Sequence, residues 1–453
     1  MKCTQMIKSI ESRVTMSIRH PLNIYLALTA LFLGAVLITG CTTSVADAEK
    51  AATHLPEATG FPTPTTPPVL IAETETPAPG SLTLTIWLPP QFDPANGSPA
   101  SALLNARLEE FTSRRTEVRV ETRVKDVDGP GGIEDTLGTA SAAAPPALPD
   151  LVALPYETLQ SAVSKGLLHP YDGLTDTMDD PDWYDFARQL SHVQNSTFGI
   201  PFAGDALIMI YRPSAIEEPP TDWESALLIT EPLTFPAADP GSLLTLTLYR
   251  ASGGAIADED GRPVMGMTPL TDVLTFYYQA NRSGLMPFWL TQYETDDQAW
   301  MVYEEGQANM AITWLSRYLQ TMPLDTSAAT IPTADGIPST TSTGWVWALA
   351  SSDPQRQELA AQLAEFLTTG EYLTEWNAAA GYLPPRPSAL TAWENTPLHG
   401  LLSQVAPSAQ LAPTTDILLA LGPLLEQSTL DVLKEQTDPA TAAQNAIEGL
   451  IAP

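Results

Sequence analysis

Ten tryptophans, all beyond residue 81, and 53 aspartates and glutamates are the side chains of this 453-residue chain best suited to chemistry. Flat aromatic rings offer platforms to apolar C–H faces, and Asp, Glu, Asn or Arg beside them satisfy hydroxyls, which is how a polyhydroxylated solute is recognised. A suitably spaced pair of carboxylates could equally flank a glycosidic bond for hydrolysis. With so many acids such pairs are guaranteed, and their abundance decides nothing. Other chemistry has no visible owner: GxSxG, HExxH, P-loop and strand-borne GxGxxG motifs do not occur. Asp258–Gly261 (DEDG) opens like a calcium loop but lacks the later oxygen ligands and reads as a turn. His169, His192 and His399 have no metal-ligand spacing. The expectation is a chain without metal, cofactor or catalytic residue.

Charge narrows the partners. Only 21 lysines and arginines oppose the acids, and a formal charge of −32 with no basic stripe excludes nucleic acid as an expected partner. The charges form no long like-sign block, so they describe a solvated surface.

The two cysteines are Cys3 and Cys41. Lys2, Lys8, Arg13 and Arg19 stand against Glu11 alone, and Leu22–Ile38 then carries no charge. That is the layout of an export signal over residues 1–40; the competing reading is an uncleaved anchor helix, since the run nears the lower limit for spanning a bilayer. Ile38-Thr39-Gly40-Cys41 resembles the lipobox of bacterial lipoproteins, where small residues admit a signal peptidase to the bond before a lipid-bearing cysteine. Cys41 is thus the expected lipidation site, tying the protein to the outer face of the cell membrane. Removal of residues 1–40 leaves 17 basic and 52 acidic residues, a charge of −35, and no cysteine pair for a disulfide.

Residues 41–80 read as a tether: Leu55–Gly80 holds seven Pro and six Thr in 26 residues, a composition that cannot pack. Beyond it, Leu82–Leu88 alternates apolar and polar residues as a strand does, and Leu104, Leu108 and Phe111 follow at helical spacing. Val118–Val124 alternates again, and Asp150–Leu154 leads to a helix from about Tyr156 to Gly166. Ala206–Tyr211 reads as a strand preceded by GIPFAGD, and Asp353 with Pro354 opens a helix carrying Leu359, Leu363 and Phe366 on one face. Repeated strand–helix units imply an α/β fold with a mixed or parallel sheet flanked by helices, whose ligands lie beyond the carboxyl ends of the strands.

Seven segments in order carry a family resemblance: TLTIW; PDLVALPYETLQSAVSKGLLHPYD; FGIPFAGDALIMIYRPSAI; GGAIADEDGRPV; EEGQANMAITW; TGWVWALASSDPQRQELAAQLAEFL; and GYLPPRPSAL. Over about residues 81–453 the chain resembles the extracellular solute-binding proteins of ABC importers, the family-1 group that includes maltose-binding protein. The resemblance implies a two-lobed periplasmic-binding-protein-like fold of type II. Lobe I would comprise residues 81–202 and 336–384, and lobe II residues 203–335 and 385–453. Crossings are expected near 200–205, 333–343 and 383–386. It implies a non-catalytic protein that closes over a mono- or oligosaccharide and delivers it to a membrane permease. A solute touching both lobes favours the closed state because only there are both sets of contacts made.

The candidate ligand-binding residues are Trp87, Glu157, Asp205, Trp314, Trp345 and Arg386. Trp87 ends the first strand where a pocket would open, though aromatics at strand ends also close cores. Trp314 and Trp345 stand where the resembled family places stacking aromatics. Asp205 at the first crossing could accept sugar hydroxyls or cap a helix or turn. Glu157 could accept likewise or serve only the dipole of the helix it opens. Arg386 could orient ligand or lock the hinge through a carboxylate. The alternatives to a transport receptor are an exported polysaccharide-acting enzyme and a sensory or adhesive lipoprotein on the same fold.

Overall fold

The computed structural model describes residues 82–451. The export signal, Cys41 and the tether lie outside the described residues. Strand β1 (Leu82–Leu88) shows how the sequence pattern builds the layers. Its Leu84, Ile86 and Leu88 enter one hydrophobic cluster and Trp87 another on the opposite face, as period-two alternation requires. Helix α1 (Pro99–Ser113) starts where Ser98 accepts from the Ser101 backbone N–H and Pro99 fits the first turn. It buries Leu104, Leu108 and Phe111. Then come β2 (Val118–Val124), α2 (Ile133–Ala143), β3 (Leu151–Pro155), α3 (Tyr156–Ser164) and α4 (Asp185–Ser191).

Strand β4 (Gly199–Tyr211) runs unbroken for 13 residues, where the sequence pattern marks only its second half. Gly199, Pro201 and Gly204 obscure the alternation, and pairing with a later strand overrides them. Beyond it lie β5 (Leu233–Thr234), α5 (Leu243–Ala251), α6 (Met267–Ser283), α7 (Asp296–Glu304), β6 (Met310–Trp314) and α8 (Leu315–Thr321). The chain returns through β7 (Thr340–Leu349), α9 (Pro354–Phe366) and α10 (Gly370–Ala380). It finishes with α11 (His399–Ser408), β8 (Ala409–Leu411), α12 (Thr415–Leu433) and α13 (Pro439–Ile451).

The main sheet has nine strands, with the path β2-β1-β3-β7-β4-β6-β5; β8 pairs with β7 and the short strand Ser327–Ala329 with β4. Strands β1, β2 and β3 are parallel, whereas β7 runs antiparallel to both β3 and β4. The sheet is therefore mixed. Residues 199–206 of β4 pair with β7 and residues 207–211 with β6, so this one strand carries the chain from one half to the other. Leu383 bridges Gly204 by two backbone bonds of 2.7 and 2.8 Å, and Thr343 pairs with Asp205, so the first expected crossing is paired with both of the others. A Cβ on Gly204 would lie 2.8 Å from the Phe186 ring and 2.9 Å from the Leu383 carbonyl oxygen, which leaves glycine as the residue that fits.

The last passage falls later than the expected boundary at 385. Ala389, Trp393, Leu401, Leu402 and Val405 are buried in the same cluster as β1 and α1, while α12 and α13 bury Leu421, Leu425, Ala443 and Ala446 against α6. The chain leaves the first half after Leu411, because residues 387–411 have apolar surface to bury there and β8 adds to β7.

Candidate functional site

The loop over 89–98 follows β1, and its Gln91, Phe92, Asn96 and Ser98 share a cavity with Leu319 and Gln320 of α8. Helix α8 begins directly after Trp314. Between the loop, α8 and the end of α10 lies a cavity of about 300 Å³, lined by Gln91, Phe92, Asn96, Ser98, Gln320 and Tyr382 among others. None of its lining residues is Asp, Glu, Lys or Arg. Gln320 donates to the Ala380 carbonyl at 3.1 Å, joining α8 to α10 across the cavity floor. Tyr382 stacks on Trp376 at 6.3 Å, and Phe92 meets Trp345 edge-on at 5.0 Å. Burial, followed by the nearby Asp205 charge, pushes the Tyr382 hydroxyl up to about 12, so it stays a donor at neutral pH.

Asp205 is buried at the crossing. One carboxylate oxygen accepts from the backbone N–H groups of Ala206 (2.9 Å) and Ser316 (3.0 Å), the other from the Ser316 hydroxyl. Ser316 stands in the first turn of α8, so Asp205 supplies from a distant strand the cap that Trp314, at the N-cap position, cannot give. Burial raises its carboxyl to about 6, against the lowering effect of the Ser316 and Ala206 bonds. Asp296 of α7 is likewise raised by burial; it accepts from the Thr313 hydroxyl at 3.2 Å and pairs with Arg317 at 3.2 Å.

None of the sequence candidates lines this cavity; three stand at elements that do. Trp314 is half-buried at the head of α8, Asp205 holds that helix, and the half-buried Trp345 touches the cavity wall through Phe92. Glu157 is exposed in the first turn of α3, at the carboxyl end of β3. Trp87 and Arg386 stand elsewhere. Trp87 is 2% exposed, closing the cluster between the sheet and α2–α3, with the Lys125 ammonium 4.6 Å from its ring centre. Arg386 is 5% exposed: its Nε donates to the Thr368 carbonyl, its Nη1 pairs with Asp180 at 2.8 Å, and the guanidinium lies 3.7 Å over Trp183. Its guanidinium locks the segment after Leu383 to the first half. Asp205 likewise spends its acceptors on α8, which is the capping alternative.

Gln91, Phe92, Asn96, Gln320 and Tyr382 escaped the sequence reading as individual residues. The position of the loop after β1 was the available signal for the first three; Gln320 gave none, because a neutral amide on an exposed helix turn has no distinguishing spacing.

A mixed sheet in two halves, joined by crossing strands with a cavity at the junction, defines the class of two-lobed solute-binding folds. The family of bacterial extracellular solute-binding proteins matches residues 106–399. The chain belongs to that family, which comprises binding proteins and places it outside the cytoplasm. Solved structures agree on the fold. The cyclic α-maltosyl-1,6-maltose binding protein of Arthrobacter globiformis shares 17% identity at a TM-score of 0.68, covering 82% of this chain and 98% of its own. Maltose-bound MalE3 of Thermotoga maritima gives 18% and 0.61 with 82% and 99% covered. A solute-binding protein of Thermotoga lettingae bound with α-D-tagatose gives 20% and 0.60 with 82% and 100%. No curated protein matches the chain. Among the described residues no helix is long and apolar enough to cross a membrane.

Proposed function

We propose that this protein is a lipid-anchored receptor that captures a mono- or oligosaccharide by closure of its two lobes and delivers it to the permease of an ABC importer. The observation that carries the reading is the composition of the junction cavity. Amides, hydroxyls, aromatic rings and small apolar side chains line it and fixed charges do not, which suits a neutral guest with both hydroxyls and apolar faces. The solutes named for the structural neighbours, maltose, cyclic maltosyl-maltose and tagatose, are of the same kind. In this reading Trp314 offers the stacking face, Trp345 supports it through Phe92, and Glu157 accepts a hydroxyl at the mouth of the first half. Asp205 holds the first turn of α8 in place, while Trp87 and Arg386 stabilise the first half. Lipid on Cys41 keeps the receptor beside its permease.

Calorimetry on the mature chain carrying Cys41→Ser, against a panel of mono- and oligosaccharides, polyamines and short peptides, tests the guest. Heat of binding with a sugar, weakened at least tenfold by Trp314→Ala, is the expected result; a response confined to polyamines or peptides contradicts it. Mass spectrometry of the membrane-extracted protein is expected to find Cys41 as a lipid-modified N-terminus.

A further inference from the structure

Two halves that move against one another need a joint whose stiffness is set somewhere, and one buried carboxylate sits in that joint without a cation. Asp205 lies on β4 one residue past the Gly204–Leu383 bridge and reaches across to the first turn of α8. Its three donors, the Ala206 and Ser316 N–H groups and the Ser316 hydroxyl, are all neutral. A negative carboxylate is a strong acceptor for such donors, roughly doubling what a neutral acceptor gives. A protonated carboxyl must turn one oxygen into a donor and gives up part of that cap.

We propose that Asp205 is a positioning residue for Trp314: its ionised form clamps the first turn of α8 to the crossing strand, and protonation loosens the clamp, so that the tryptophan changes its setting and the solute is held less tightly in acid. The solute half of this statement rests on the receptor reading above; the tryptophan half does not. Burial raises the carboxyl to about 6, which puts the transition in the mildly acidic range met outside a cell.

The groups that face Asp205 set that midpoint. From α8 comes Ser316, whose bonds favour the ionised form, and from α7 comes Asp296, whose charge opposes it. Arg317 draws the Asp296 charge into a pair at 3.2 Å and also pairs with Asp297. Tyr382, beyond α10, feels the Asp205 charge as a rise of its own. The donors and charges come from separate elements, so each can be changed alone.

The test labels the mature protein with 5-fluorotryptophan, assigns the Trp314 signal by Trp314→Phe, and follows it by fluorine NMR from pH 4.5 to 8. Calorimetry with maltotriose runs at the same pH values. The expected Trp314 signal shifts with a midpoint near 6 in the wild type and stays flat in Asp205→Asn. Ser316→Ala, which keeps the backbone N–H, moves the midpoint up, and Asp296→Asn moves it down. Maltotriose affinity falls about five- to tenfold between pH 7.5 and 5 in the wild type and not in Asp205→Asn. A Trp314 signal that is flat in the wild type, or that titrates unchanged in Asp205→Asn, overturns the proposal. Should Asp205→Asn fail to fold, unmoved midpoints in Ser316→Ala and Asp296→Asn overturn it as well. Absence of maltotriose binding at every pH counts against the carbohydrate reading and leaves the fluorine result to decide the clamp.

Discussion

Asp150 and Asp205 are both buried, and their surroundings differ in a way that separates a fixed body from a moving joint. Asp150, with no exposed surface, opens β3 and receives Arg356 of α9 in a two-pronged pair at 2.7 and 2.6 Å, together with the Thr85 N–H at 2.7 Å. Arg356 also donates to the Thr83 carbonyl at 2.7 Å, so β1, β3 and α9 share one ion pair. Asp205 has only neutral donors, and ties β4 to α8. The Asp150 charge meets its counter-charge, whereas the Asp205 carboxylate has neutral donors alone and burial pushes it toward losing its charge. The first half is welded, and the junction is adjustable.

The comparison breaks most readily at the weld. Arg356→Ala leaves Asp150 buried and unpaired, and is expected to cost about 3–5 kcal/mol in denaturant unfolding; a loss under ~1 kcal/mol would show that the pair matters little. Next in size is the pH dependence of Asp205. Its folded carboxyl titrates at about 6 and the unfolded one near the ordinary 3.8, so the native state keeps this proton longer and the group's contribution to stability falls as pH rises between those values. The expected difference reaches about 3 kcal/mol at neutral pH. Wild type should therefore lose ground against Asp205→Asn from pH 4 to 7, measured as paired denaturant midpoints; parallel curves contradict the assignment. The opposite sense of the two effects, a globally favoured protonated state with a looser α8, separates the clamp from plain unfolding. Smaller still is Gly204→Ala, whose methyl meets the Phe186 ring and the Leu383 carbonyl oxygen. Crowding there is expected to cost about 1–3 kcal/mol, and to change solute affinity more than a mutation of equal cost in α1.

Much of the fold was legible because it is local. The alternation of Leu84, Ile86 and Leu88, the Asp353 cap and the apolar stripe of α1 each depend on neighbours in sequence. What failed depended on partners far along the chain. The first half of β4 hides behind Pro201 and two glycines until β7 pairs with it, and α11 joins the first half because of a cluster no local pattern announces. Among the candidate residues, Trp314 and Trp345 rest on an analogy of segment order; Trp314 heads α8 and Trp345 meets Phe92 of the cavity wall. Trp87 and Arg386 carried two readings each, and burial resolves both toward packing. The Asp205 carboxylate looks the same in sequence whether it caps a helix 111 residues away or awaits a guest.

The central claim is that a guest between the halves brings them together. Small-angle X-ray scattering of the mature Cys41→Ser protein, with and without a saturating sugar from the calorimetric panel, measures this directly. The radius of gyration is expected to fall on saturation, and Trp314→Ala is expected to abolish the fall at the same sugar concentration. A sugar that binds while the profile stays the same would contradict it.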